Sequence, residues 1–65
     1  MTHKEQIREV LERGEAITPI DALQMFGCFR LGARIYDLRQ EGLSIRTNMS
    51  KAGYAIYRLT DGTQN

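Results

Sequence analysis

The chain is short of the residue types that staple small proteins or carry chemistry. Its single cysteine, Cys28, excludes an internal disulfide and leaves no second thiol for a metal or redox pair. Its single histidine, His3, has no partner in sequence for a metal site or a proton relay. No apolar run approaches the roughly 20 residues needed to cross a bilayer, which excludes a membrane-spanning role. The opening Met1-Thr2-His3-Lys4-Glu5 lacks the apolar centre of a signal peptide, so the expected location is the cytoplasm. In that compartment the sequon Asn48-Met49-Ser50 has no meaning. Paired carboxylates, a phosphate-cradling glycine loop and a nucleophile motif are all missing from the pattern. The expectation is therefore a protein that is not an enzyme, with no cofactor, no metal and no small-molecule substrate.

With 65 residues there is material for one domain, expected over 1–60, followed by a flexible polar tail over 61–65. A domain of this size buries only about 60% of the surface its unfolded chain exposes. Its single core rarely supplies more than roughly 3 to 5 kcal/mol, so nearly every apolar residue is needed inside and little is left to line a deep pocket. The composition, 42% apolar and 26% charged, is that of an ordinary folded domain, without repeats or low-complexity stretches.

Net charge is only +1, but it is unevenly spread. Residues 1–27 carry Lys4, Arg8 and Arg13 against Glu5, Glu9, Glu12, Glu15 and Asp21, a net of −2. Residues 28–58 carry Arg30, Arg34, Arg39, Arg46, Lys51 and Arg58 against Asp37 and Glu41, a net of +4. Positive charge therefore gathers in the second half, where an anionic partner would be met.

Periodicity predicts three helices. Thr2 and Glu5 have capping-box spacing, Ile7, Val10 and Leu11 form an inward stripe, and Gly14 stops the segment, giving helix one over about 3–13. Thr18 and Pro19 then start helix two, about Pro19–Phe26, with Asp21 at its positive end and Ile20, Leu23 and Phe26 expected to face the other helices. Between them Ile17 is expected to pair with a later strand edge. Gly27 turns the chain into helix three, about Phe29–Glu41, whose stripe of Leu31, Ile35 and Leu38 faces inward while Arg30, Ala33, Arg34 and Asp37 stay outside. Gly42 caps it. Gly32, inside it, costs up to about 1 kcal/mol relative to alanine and is expected to mark close helix packing.

Beyond Gly42 the period falls to 2. Leu43, Ile45 and Thr47 alternate with Ser44, Arg46 and Asn48, and Ala55, Tyr57 and Leu59 alternate with Tyr54, Ile56 and Arg58, on either side of Met49-Ser50-Lys51-Ala52-Gly53. The register that turns Leu43, Ile45, Tyr57 and Leu59 inward puts Arg46 and Arg58 on the outer face. Three helices followed by a hairpin give an α+β fold in the order of a three-helix winged helix-turn-helix, with the two-stranded C-terminal β-hairpin as its wing.

The stretch from Ile17 to Leu59, especially Ala22-Leu23, Phe26-Gly27-Cys28-Phe29-Arg30-Leu31, Arg34-Ile35-Tyr36-Asp37-Leu38-Arg39, Gly42 and Tyr57-Arg58-Leu59, resembles small winged helix-turn-helix proteins of bacteriophages and prophages. The resemblance implies a phage or prophage DNA-binding domain with a regulatory or recombination-accessory role. The residues themselves point the same way. A guanidinium can hold two acceptors of guanine, so Arg30 and Arg34 are candidates for base contact from helix three in the major groove of double-stranded DNA. Ala33 and Asp37 share that face, and Asp37 repels phosphate unless it accepts from a cytosine amino group or pairs with a neighbouring arginine. Lys51 at the hairpin tip is expected on a phosphate or in the minor groove, flanked by Arg46 and Arg58 as backbone clamps.

Phe29 is expected to pack under helix two rather than to meet a thymine methyl, and Tyr36 and Tyr54 are expected to complete the core. Cys28 reads as a small buried hydrophobe at the helix junction. The rival expectation is a protein-interaction module that binds a host or phage protein through acidic helix one or the wing residues Met49 and Ile56. A homodimer is the third reading.

Overall fold

The computed structural model describes residues 2–60, so the expected tail over 61–65 lies outside the described residues. In chain order the elements are α1 (His3–Glu12), α2 (Pro19–Phe26), α3 (Leu31–Gln40), β1 (Ile45–Met49) and β2 (Ala55–Leu59). Three helices and a two-stranded antiparallel hairpin are the expected order. The third helix is shorter than its apolar period suggested, because the backbone becomes helical only after Arg30.

The first two helices start with the same device. Thr2 Oγ1 accepts from the Glu5 amide at 3.2 Å while the Glu5 carboxylate accepts from the Thr2 amide at 3.0 Å. Thr18 and Asp21 repeat this reciprocal pair at 3.1 Å in both directions, with Pro19 in the first helical position, where no amide donor is needed. The Thr2 amide holds the Glu5 carboxyl below the ordinary glutamate range. The endings of α1 and α3 also match. The amides of Gly14 and Glu15 return to the carbonyls of Leu11 and Val10, and those of Gly42 and Leu43 to Arg39 and Leu38. This closure needs a left-handed residue, supplied by Gly14 at φ +86° and Gly42 at φ +103°.

The core gathers Ile7, Val10 and Leu11 of α1, Ile17, Ala22 of α2, Cys28, Leu31, Ile35 and Leu38 of α3, and Ile45 of β1, with Phe26, Leu43, Tyr57 and Leu59 packed around it. Ile20 and Leu23, expected inward, are 56% and 40% exposed. The cause is geometric: α2 meets the core through Ala22, and at about 100° per residue Leu23 and Ile20 lie about 100° and 160° around the helix from it. Phe26 alone of the expected three reaches the core, where it is partly buried.

The hairpin pairs Ile45 with Leu59, Arg46 with Arg58, Thr47 with Tyr57, Asn48 with Ile56 and Met49 with Ala55. Ile17 joins the free edge of β2 as expected, exchanging two backbone hydrogen bonds with Tyr57 at 2.9 Å each. The other edge is tied to α3 by Arg39. Its Nε and Nη2 donate to the Ile45 carbonyl at 3.2 and 2.7 Å, and Nη2 also donates to Thr47 Oγ1 at 2.8 Å. At the end of α3, Glu41 pairs with Lys4 and lies 3.6 Å from Arg8 Nη1, linking α3 to α1. Those α1 cations offset an anion placed at the negative end of a helix dipole.

Three outcomes follow from this architecture. Thr18→Ala removes one half of the α2 cap and costs about 1 kcal/mol, read as a fall of about 4 to 8 °C in the midpoint of thermal unfolding. Arg39→Met leaves the helices folded but frees the hairpin, seen as faster hydrogen exchange in residues 45–49 and 55–59 than in α1. Glu5 titrates below an ordinary glutamate by NMR. The stability from its lowered pKa is present above the ordinary glutamate range and is lost as pH falls through the folded value.

Candidate nucleic-acid interface

The exposed side of α3 is decided by the side it buries. Leu31, Ile35 and Leu38 are 2%, 1% and 0% exposed. The helical period then points Ala33, Asp37 and Gln40 away from the core, sets Arg34 on one flank and puts Gly32, Tyr36 and Arg39 on the other. The second flank faces the hairpin, since Arg39 bonds β1 and a Cβ on Gly32 would stand 4.0 Å from the Tyr57 hydroxyl. Gly32 thus marks the approach of the hairpin rather than of a second helix, at ordinary contact distance, and its position would accept a methyl group.

The approach into α3 differs from that of the other two helices. Arg30 is the N-cap, with φ −120° and ψ 59°, and no side chain caps this helix. Its carbonyl accepts from the amides of Ala33 and Arg34 at 3.1 and 3.3 Å. Ahead of it, the Cys28 amide returns to the Ala22 carbonyl at 3.1 Å and the Cys28 side chain is buried, as expected. With Cys28 and Leu31 both held inside, the chain between them is turned outward. Phe29, expected to pack under α2, is 84% exposed for this reason. Tyr36, expected in the core, is 62% exposed because its place on α3 lies outside the buried stripe.

Electrostatically, Arg34 and Asp37 neutralise each other. Arg34 Nη2 lies 3.1 Å from the Asp37 carboxylate, while Arg34 Nε is buried with no hydrogen-bond partner among the described residues. Asp37 therefore takes the neighbouring-arginine option. Among the described residues Arg30, Arg46 and Lys51 form no ion pair.

The hairpin divides its cations. Arg46 and Arg58 face each other across the ladder, on the side opposite to Ile45, Thr47, Tyr57 and Leu59 and hence away from α3. Arg58 Nη1 is held by the Gly14 carbonyl at 3.1 Å, at the end of α1. The structure therefore brings Arg30, Ala33, Arg34 and Asp37 together on α3, but does not bring Arg46 or Arg58 to that group. Lys51 is exposed at the hairpin tip, in a turn whose Ser50 hydroxyl accepts from the amides of Ala52 and Tyr54 at 3.1 and 3.2 Å. Tyr54, expected in the core, is 45% exposed, since it belongs to this turn and the core ends at Tyr57.

Two residues of α3, one on its hairpin flank and one on its outer face, were not singled out by sequence reasoning. Arg39 read as one more exposed cation, because its acceptors, Ile45 and Thr47, are fixed only by the hairpin's docking. Gln40 reaches the outer face by period alone and could have been found that way. Among the described residues no helix is long and apolar enough to cross a membrane, and no three His, Cys, Asp or Glu side chains gather as metal ligands.

No curated protein and no solved structure matches the chain. A family model described as a winged helix-turn-helix domain matches residues 2–61, nearly the whole chain, and the protein belongs to that family.

Proposed function

We propose that this winged helix-turn-helix domain binds double-stranded DNA in a sequence-dependent way, with α3 in the major groove and the hairpin against the backbone. Membership of the family supports DNA binding in general. The observation that carries the finer reading is the outer face of α3. It presents arginine, an acidic hydrogen-bond acceptor and small side chains together, beside a helix N-terminus that no side chain caps. The positive end of the helix dipole there favours a phosphate. Arg30 and Arg34 read guanine edges, Asp37 accepts from a cytosine amino group, and Ala33 lets the helix approach closely. Lys51 and Arg46 hold phosphates, and Arg58 adds to the positive field from its anchor on Gly14. The resemblance of residues 17–59 supports a cytoplasmic role in phage or prophage regulation or as a recombination accessory.

The Arg34–Asp37 pair gives this reading a specific consequence. Free of DNA, Arg34 Nη2 and the Asp37 carboxylate pair with each other, so a duplex must offer both a base acceptor and a base donor to replace what it takes apart.

The test is fluorescence anisotropy of labelled duplexes titrated with the protein across a range of salt. With about five cations, Arg30, Arg34, Arg46, Lys51 and Arg58, entering the field of the phosphates, log K falls against log salt with a slope of about −4 to −5. Arg34→Ala costs about 1 to 3 kcal/mol on a preferred duplex and less on a mixed one, whereas Lys51→Ala weakens all duplexes alike. A slope near zero, or identical losses for the two variants on every duplex, contradicts the proposal.

A further inference from the structure

Phe29 is the most exposed large apolar side chain among the described residues, and it stands at the end of α3 that the reading above sets against base pairs. Single exposed apolar residues are common and need no explanation. Phe29 differs in how it is held. Its two supports, Cys28 and Leu31, are 3% and 2% exposed, and the Cys28 amide is fixed to the Ala22 carbonyl. The ring is therefore carried outward by a turn whose two flanks are anchored in the core, directly before Arg30 at the helix cap. A position fixed this way can make a contact of defined geometry.

The chemistry of the ring limits what it can meet. Phenylalanine neither donates nor accepts a hydrogen bond, so it gains nothing from a phosphate or from the polar base edges. In the major groove one apolar group stands at the base edges, the C5-methyl of a pyrimidine, carried by thymine and by 5-methylcytosine. Ala33, in the first turn of α3 and on its outer face, offers a methyl-sized apolar surface at the same end of the helix.

We infer that Phe29, with Ala33, is a specificity-determining contact that reads the C5-methyl group of a pyrimidine in the major groove. The inference rests on the reading of α3 as a DNA-binding helix. Burying one methyl against the ring favours the methylated base by about 4-fold. The sites preferred by this domain then contain a methylated pyrimidine opposite the N-terminal end of α3.

The experiment uses the whole chain and the duplex enriched from a randomised pool, made in four forms: unmodified, with every thymine replaced by deoxyuridine, with every cytosine methylated at C5, and with both changes. Wild type binds the methyl-bearing form of at least one pair about 4-fold more tightly. Phe29→Ala binds both forms alike, and an amide spectrum that matches wild type over α1 shows that the variant is folded. A difference confined to the thymine and uracil pair assigns thymine as the source, and one confined to the cytosine pair assigns 5-methylcytosine. Equal binding of all four forms by wild type overturns the inference while leaving DNA binding intact. A methyl preference that persists in Phe29→Ala overturns the assignment to Phe29. Failure to bind or enrich any duplex at low salt overturns this inference and the reading beneath it together.

Discussion

The seating of α3 is the constraint from which the rest of the surface follows. Three side chains, Leu31, Ile35 and Leu38, insert into a core built mainly from α1, and their burial fixes the rotation of the helix about its axis. Once that rotation is set, Ala33, Asp37 and Gln40 point outward with no further instruction. The hairpin is placed relative to the helix by two contacts of different kinds. Arg39 bonds to Ile45 and Thr47, and Tyr57 lies over Gly32. On its far edge β2 is fixed to Ile17, so the segment between α1 and α2 serves as a third, minimal strand. A domain with so small a core gains rigidity from these directional bonds, which add little apolar burial of their own.

Charge is arranged to suit the same division. The cations of α1 are engaged in pairs, with Arg8 Nε on Glu12 at 2.9 Å and Lys4 and Arg8 around Glu41. Such exposed pairs contribute little stability. Their effect is on the field, because they neutralise the anions at the end of α3 while Arg30, Arg46 and Lys51 are left without ion-pair partners among the described residues. A protein with a net charge of +1 can thereby present a locally positive face.

Features that depend on neighbours in sequence were legible in the sequence, and those that depend on docking were not. The capping box at Thr2 and Glu5, the Thr18 and Pro19 start of α2, the glycine endings at Gly14 and Gly42, the bounds of α2, the buried stripe of α3 and the hairpin register all rest on spacing or on period, which local physics dictates. Ile17 is the exception, a docking contact with Tyr57 that was anticipated as a pairing at the hairpin's edge. The errors share one source. Ile20, Leu23, Phe29, Tyr36 and Tyr54 were expected to be inside because a small core needs every apolar group, but how many fit is decided by where the helices touch. Here α2 approaches through Ala22, which leaves its larger neighbours outside. Of the candidate site, the α3 cluster was legible from helical period. The diversion of Arg58 to Gly14 and of Arg39 to the hairpin was not, since both acceptors are backbone carbonyls brought near only by the fold.

The most direct test of the central claim, that the outer face of α3 meets duplex DNA, is an NMR amide-shift titration with a mixed-sequence duplex at low and then raised salt. The account predicts shifts concentrated over residues 29–40 and 46–53 that retreat as salt is added. Shifts confined to α1, or no shifts at low salt, would contradict it.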